Sequence, residues 1–338
     1  MDFLDSEENI KPGRVLRAKF ILNWKRNDDG TPRAKARLIC QGYQDPGALN
    51  GSLATASPIL TRLSRGMILS ITSLLGFYPF TSDISTAFLQ GKKYDPSSER
   101  ELWIRFPKDA DGLLGLPPGH GRVMKLTKPM YGLVDAPKAW FDDAVDRILT
   151  MGDGAIVQHP LDSCLFLAFD RALRPEEVDD DPPRLLAIFG IHVDDLLGCC
   201  NEQDPATKKL MDKLRGIFCF REWHSGAERD ELSHCGAKIT KIDNFHWKIH
   251  HSELFKKQKP ISIQKDRLQS PLPVTNGERT ALRALLGALQ WPSTQTAPWL
   301  QAAVSLLAGN VTNATTTTLQ EANKVLRYAK ENNDVGLE

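Results

Sequence analysis

Two adjacent carboxylates, Asp194 and Asp195, stand in His192-Val193-Asp194-Asp195 between two uncharged apolar runs, Leu185 to Ile191 and Leu196 to Cys200. The pattern predicts a β-hairpin of largely buried strands with the acids at its turn. Neighbouring carboxylates at the end of a buried ribbon are electrostatically costly unless water or a cation meets them, and a divalent metal is the natural partner. An ordinary acidic turn joining two core strands satisfies the same pattern, so a second carboxylate with matching surroundings has to decide.

Asp83 is that carboxylate. In Tyr78-Pro79-Phe80-Thr81-Ser82-Asp83-Ile84, strand alternation puts Phe80, Ser82 and Ile84 on one face and Thr81 with Asp83 on the other. Asp83 then falls near the strand's end, where Ser85 or Thr86 can start a short helix.

In chain order, Lys35 to Tyr43, Asp83 to Gly91, Lys128-Pro129-Met130-Tyr131-Gly132-Leu133-Val134-Asp135-Ala136-Pro137-Lys138-Ala139-Trp140-Phe141 and His192 to Asp195 form a series, continued by Arg283 to Trp291 and Val325 to Leu337. Through these motifs, over about residues 14 to 337, the chain resembles the reverse transcriptase of Copia-type (Pseudoviridae-like) long-terminal-repeat retrotransposons, a region of a Pol polyprotein. The resemblance implies an α+β right-hand polymerase fold, with fingers and palm over residues 1–255 and a helical thumb or connection-like region over 256–338.

It also implies an RNA-directed DNA polymerase, a nucleotidyltransferase that extends a primer on an RNA or DNA template with deoxynucleoside triphosphates. Asp83, Asp194 and Asp195 are then the catalytic acids, which hold two Mg²⁺ ions, or Mn²⁺ in their place, with the backbone carbonyl of Ile84. Neighbouring strand residues point to opposite faces, so Asp194 ranks above Asp195 as a direct ligand. By the same resemblance Lys35 and Arg37 grip the triphosphate, Phe88 lies beneath the incoming sugar, and Tyr131 and Gly132 lie under the templating pair. His192, Val193 and Gly236 face primer and template, and other parts of a Pol polyprotein are expected partners.

Departures from the family pattern matter as much. His192 replaces the aromatic of the Tyr-Val-Asp-Asp box and introduces a group expected to titrate near neutrality. Val134-Asp135-Ala136 replaces Lys-Gln-Ser and brings a negative charge toward the expected template or nucleotide site, while Leu282 and Thr296-Ala297-Pro298-Trp299 alter thumb positions. The chain stops where the family's ribonuclease H domain is expected to begin. These features support an alternative: a truncated, catalytically inactive retrotransposon remnant that at most binds nucleic acid.

Composition agrees with a folded core, at 41% hydrophobic and 25% charged residues over 338 positions. A net charge of +1 looks unpromising for a nucleic-acid binder, but from Lys11 to Arg37 nine Lys and Arg face only Asp28 and Asp29. Glu176 to Asp181, followed by Pro182-Pro183, reads as a solvated surface insertion. The six cysteines lack disulfide or zinc spacing and read as reduced, buried thiols. No run is long enough to span a membrane, and the acidic N-terminus is unlike a secretory signal, so an intracellular protein of cytoplasm or nucleus is expected. His246, His250 and His251 lie on a strand-like alternation unsuited to zinc, and Trp103, Trp140, Trp223, Trp247 and Trp291 read as core or interface residues.

Helical spacing of Leu63, Met67, Ile71, Leu74 and Leu75, ending at Gly76, predicts one helix. Pro137 opens a second with Phe141, Ala144, Val145, Ile148 and Leu149 on its apolar face, and Asp204-Pro205 opens a third. From about residue 276 the pattern is nearly all helical, with capping-box spacing at Thr318 to Glu321.

Overall fold

The basic N-terminal stretch forms a long antiparallel ribbon. The computed structural model describes residues 3–4, 10–11, 13–26, 30–95, 100–107, 112, 115, 123–173 and 182–338. Over these, β1 (Phe3–Leu4), β2 (Val15–Arg26), β3 (Pro32–Cys40), β5 (Trp103–Arg105) and β6 (Val123–Lys125) make a sheet ordered β1-β6-β5-β2-β3. Leu16, Ala18, Cys40 and Ile104 bury its base against Met130 and Leu133, while the far half of the β2–β3 ribbon projects past this core.

The central sheet is antiparallel throughout. It contains β4 (Tyr78–Ile84), β7 (Ile156–His159), β8 (Asp162–Phe169), β9 (Leu185–His192), β10 (Asp195–Cys200) and β11 (Phe220–Ser225), in the order β11-β4-β10-β9-β8-β7. β9 and β10 are the two apolar runs, paired from His192↔Asp195 to Ala187↔Cys200. Phe80, Phe166, Phe189 and Leu197 are fully buried there, each contributing about 1.5–3 kcal/mol relative to exposure.

The connecting helices are α1 (Pro46–Leu49), α2 (Arg62–Leu75), α3 (Ala87–Gln90), α4 (Ala136–Gly152) and α5 (Pro205–Ile217). Gly76 ends α2 in the left-handed region at φ 64°, and Asp204 caps α5 by accepting from the Ala206 N–H at 2.8 Å. The apolar stripe of α2 is not the buried one: Leu63, Met67, Leu74 and Leu75 are exposed, whereas Ser64, Arg65, Ile68, Leu69 and Thr72 are buried. Polar ties turn the helix. Ser64 Oγ donates to Asp162 at 2.6 Å and Thr72 Oγ1 to the Phe245 carbonyl at 2.9 Å, contacts that hydrophobic spacing cannot register.

A third sheet, β12 (Glu231–His234), β13 (Ala237–Lys241) and β14 (Trp247–His250), leads into α6 (Ser252–Lys257), α7 (Asn276–Gln295), α8 (Gln301–Gly309) and α9 (Thr316–Glu331). The last four helices bury their own core, in which Phe255, Leu282, Leu289, Leu319 and Leu326 are inaccessible. α9 starts earlier than the spacing indicates: Thr315 is the cap and its N–H donates to Thr318 Oγ1 at 3.1 Å, so Thr318 answers the cap and does not provide it. All six cysteines are free, and Cys219 is exposed, contrary to the expectation of uniform burial. Residues 174–181, which hold the acidic insertion, lie outside the described residues. Among the described residues no helix is long and apolar enough to cross a membrane.

Candidate active site

The turn between β9 and β10 has two residues and places Val193 at φ 62°. Glycine is usual there, because a β-branched side chain crowds the backbone in the left-handed region. Two outside ties hold the turn: the buried Trp140 donates from Nε1 to the Val193 carbonyl at 2.7 Å, and the Ile84 N–H donates to the Asp194 carbonyl at 2.7 Å. The second tie joins the turn to β4. Asp83 consequently stands directly across the ladder from Asp195, beside Asp194.

Asp83 and Asp194 line a cavity of about 830 Å³ whose walls carry Lys25, Lys35, Arg37 and Arg221. Burial raises the Asp83 pKa; Arg221 opposes the shift and the neighbouring Asp194 adds to it. Asp83 Oδ1 is buried without a hydrogen-bond partner, and Arg221 Nε lies 3.3 Å from it as an ion pair. On the opposite wall, burial and the adjoining Arg37, Lys25 and Arg221 push the Lys35 ammonium below its ordinary value. Asp195 does not line the cavity. Burial and Asp194 push its carboxyl up to about 6, while a hydrogen bond with Cys235 draws it back.

Among the described residues, no three His, Cys, Asp or Glu side chains converge as a self-sufficient metal site. The donor set suits an ion that takes few protein ligands: Mg²⁺ is commonly held by one or two carboxylates together with substrate phosphates. Asp83, whose Oδ1 has no hydrogen bond and is ion-paired with Arg221, and Asp194 fit that requirement.

The remaining expected residues separate into those at the cavity and those behind it. Tyr131 lines the cavity with Arg37 over its ring, 5.9 Å from the centroid. Phe88 packs on Tyr131 at 5.0 Å between centroids and is absent from the lining. Gly132 has φ 96°, and a Cβ there would fall 2.0 Å from the Cys40 carbonyl oxygen. Glycine therefore lets the Tyr131–Gly132 segment dock on the end of β3, where the Cys40 N–H donates to the Tyr131 carbonyl at 2.9 Å. Gly236 and Cys235 form the β12–β13 turn, and His192 meets His234 edge to face at 6.4 Å.

Burial lowers the His192 pKa from its ordinary value. One expectation is corrected. Asp135 does not bring a free negative charge to the cavity: Arg100 pairs with it at 2.6 Å and with Asp45 at 2.8 Å, and none of the three lines the cavity. Sequence reasoning missed Arg221, Thr86, Leu89 and Lys128 in the lining. Arg221 had no local signal, because only the β11–β4 pairing carries it to Asp83.

The family model described as reverse transcriptase (RNA-dependent DNA polymerase) matches residues 5–204, more than half of the chain. The chain is similar to the retrovirus-related Pol polyprotein from transposon RE1 of Arabidopsis thaliana, 29% identical over 160 residues that cover 45% of this chain and 10% of that protein. The counterpart from transposon RE2 of the same plant is 27% identical over 212 residues, 62% of this chain and 13% of that protein. The one from transposon TNT 1-94 of Nicotiana tabacum is 30% identical over 132 residues, 39% and 9%. The chain spans about a tenth of the length of these relatives. It belongs to the reverse transcriptase family. Within that family it is a Copia-type reverse transcriptase region.

Proposed function

We propose that this chain is the fingers, palm and thumb of an RNA-directed DNA polymerase from a retrotransposon Pol polyprotein, which adds deoxynucleotides to a primer by two-metal phosphoryl transfer. The observation that carries the reading is the meeting of Asp83 and Asp194, remote in sequence, at one cavity walled by Lys25, Lys35, Arg37 and Arg221. In this reading the β2–β3 sheet forms the fingers, the six-stranded sheet the palm, and residues 256–338 the thumb.

Asp83 and Asp194 hold the cations, with Asp195 beside them as a negative charge that Cys235 restrains. Two Mg²⁺ ions, when bound, lower the pKa of a primer 3′-hydroxyl and stabilise charge on departing pyrophosphate. Lys35 and Arg37 neutralise the triphosphate, and Tyr131, backed by Phe88, floors the pocket. Arg221 balances Asp83 before a cation arrives.

That ion pair is also the one observation that favours a second reading, a catalytically silent remnant in which a guanidinium permanently takes the place of the metal. Primer extension on a homopolymer template with Mg²⁺ or Mn²⁺ separates the two. Extension that disappears in Asp194→Asn supports the polymerase, and no extension by well-folded protein favours the remnant. Extension that survives the substitution rejects the metal assignment.

A further inference from the structure

Strand β11 is an edge of the six-stranded sheet, and it pairs with β4 through a bulge. Phe220 stands opposite Ile84 and Trp223 opposite Ser82, so Arg221 and Glu222 together face the single residue Asp83. A bulge re-aims side chains, and this one parts two neighbours of opposite charge. Arg221 lines the cavity with its Nε 3.3 Å from Asp83 Oδ1. Glu222 stays out of the lining; its carboxylate lies 3.5 Å from His224 Nε2, and its carbonyl accepts from Ser82 Oγ at 2.9 Å.

The Arg221–Asp83 contact is close yet loose. Asp83 Oδ1 receives no hydrogen bond, so the guanidinium meets it through charge alone and not through the parallel N–H donors that make arginine–carboxylate bridges strong. The Arg221 side chain is 45% exposed, which leaves it room to swing into solvent. A cation that binds Asp83 must therefore displace one that is already there, and can do so. We propose that Arg221 is the resident counter-cation of the acid pair, and that its competition for Asp83 sets how tightly the pair takes up a divalent ion. The inference rests on Asp83 and Asp194 as the cation ligands; it does not require that the chain polymerise.

The test is Mn²⁺ binding to the whole chain, followed by electron paramagnetic resonance at about 0.15 M salt with no nucleotide or nucleic acid present. Arg221→Gln is expected to tighten binding by about three- to fivefold, the scale of one exposed ion pair, and Arg221→Lys, which keeps the charge, to stay within about twofold of wild type. Lys25→Gln removes an equal charge from the β2 side of the same cavity and is expected to change affinity by less than about twofold. Circular dichroism of the variants verifies folding, which a half-exposed side chain on an edge strand does not control. Equal affinity of wild type and Arg221→Gln, or equal tightening by Arg221→Gln and Lys25→Gln, overturns the role of Arg221 even where Asp83→Asn weakens binding. If Asp83→Asn changes nothing, the cation assignment itself falls and the inference falls with it. Binding seen only in Arg221→Gln upholds the competition and favours the silent remnant.

Discussion

Two tight turns lie beside Asp195 and obey different rules. At Cys235-Gly236 both residues are left-handed, φ 50° and 79°, and a Cβ added at Gly236 would meet nothing within 4 Å. That turn has the backbone a two-residue hairpin asks for, with glycine at its second position. At Val193-Asp194 a valine takes the left-handed position at φ 62°, at a cost of about 1–2 kcal/mol. The Trp140 and Ile84 hydrogen bonds oppose that cost. The difference shows where the chain works against local preference: at the turn that carries the acids, where a buried tryptophan fixes what the turn residues alone would not choose.

The largest expected effect separates the turns by chemistry. Asp194→Asn is expected to slow single-nucleotide incorporation by about a thousandfold or more, and Gly236→Ala by about tenfold at most. Equal losses would break the comparison.

Next comes pH. The Asp195 carboxyl, pushed up to about 6, favours its protonated form in the fold, so its contribution to stability is complete below pH about 4 and is lost as pH rises through about 6. Asp195→Asn is therefore expected to stabilise the metal-free protein by about 1–3 kcal/mol at pH 8 and to change little at pH 4, read from urea melts at both values.

Removing only the indole hydrogen bond is a smaller change. Trp140→Phe is expected to cost about 1–2 kcal/mol and to raise amide exchange at Val193 and Asp194 more than at Cys235 and Gly236. Smallest, and opposite in sign, are swaps of the turn residues. Gly236→Val is expected to destabilise by about 1 kcal/mol, and Val193→Gly to be neutral or to stabilise by less than that. Two losses of equal size in thermal melts would deny that Val193 is strained.

Much of this contrast was legible from the chain. The uncharged runs around Asp194 gave the hairpin, and alternation through Tyr78–Ile84 gave the strand that carries Asp83. Periodicity found α2 yet chose its exposed face, because the buried stripe is held by Ser64, Thr72 and Arg65 and their remote partners. Arg100 could not be matched to Asp135 in advance, since neither lies near the other in sequence. Tertiary pairing also decides Arg221, and local pattern carries no record of it.

The most direct measurement is Mn²⁺ binding followed by electron paramagnetic resonance in wild type, Asp83→Asn, Asp194→Asn and Asp195→Asn. Either of the first two substitutions is expected to weaken binding by about tenfold or more, and Asp195→Asn to do less. Wild-type affinity in Asp83→Asn or Asp194→Asn would show that these two carboxylates do not hold the cation.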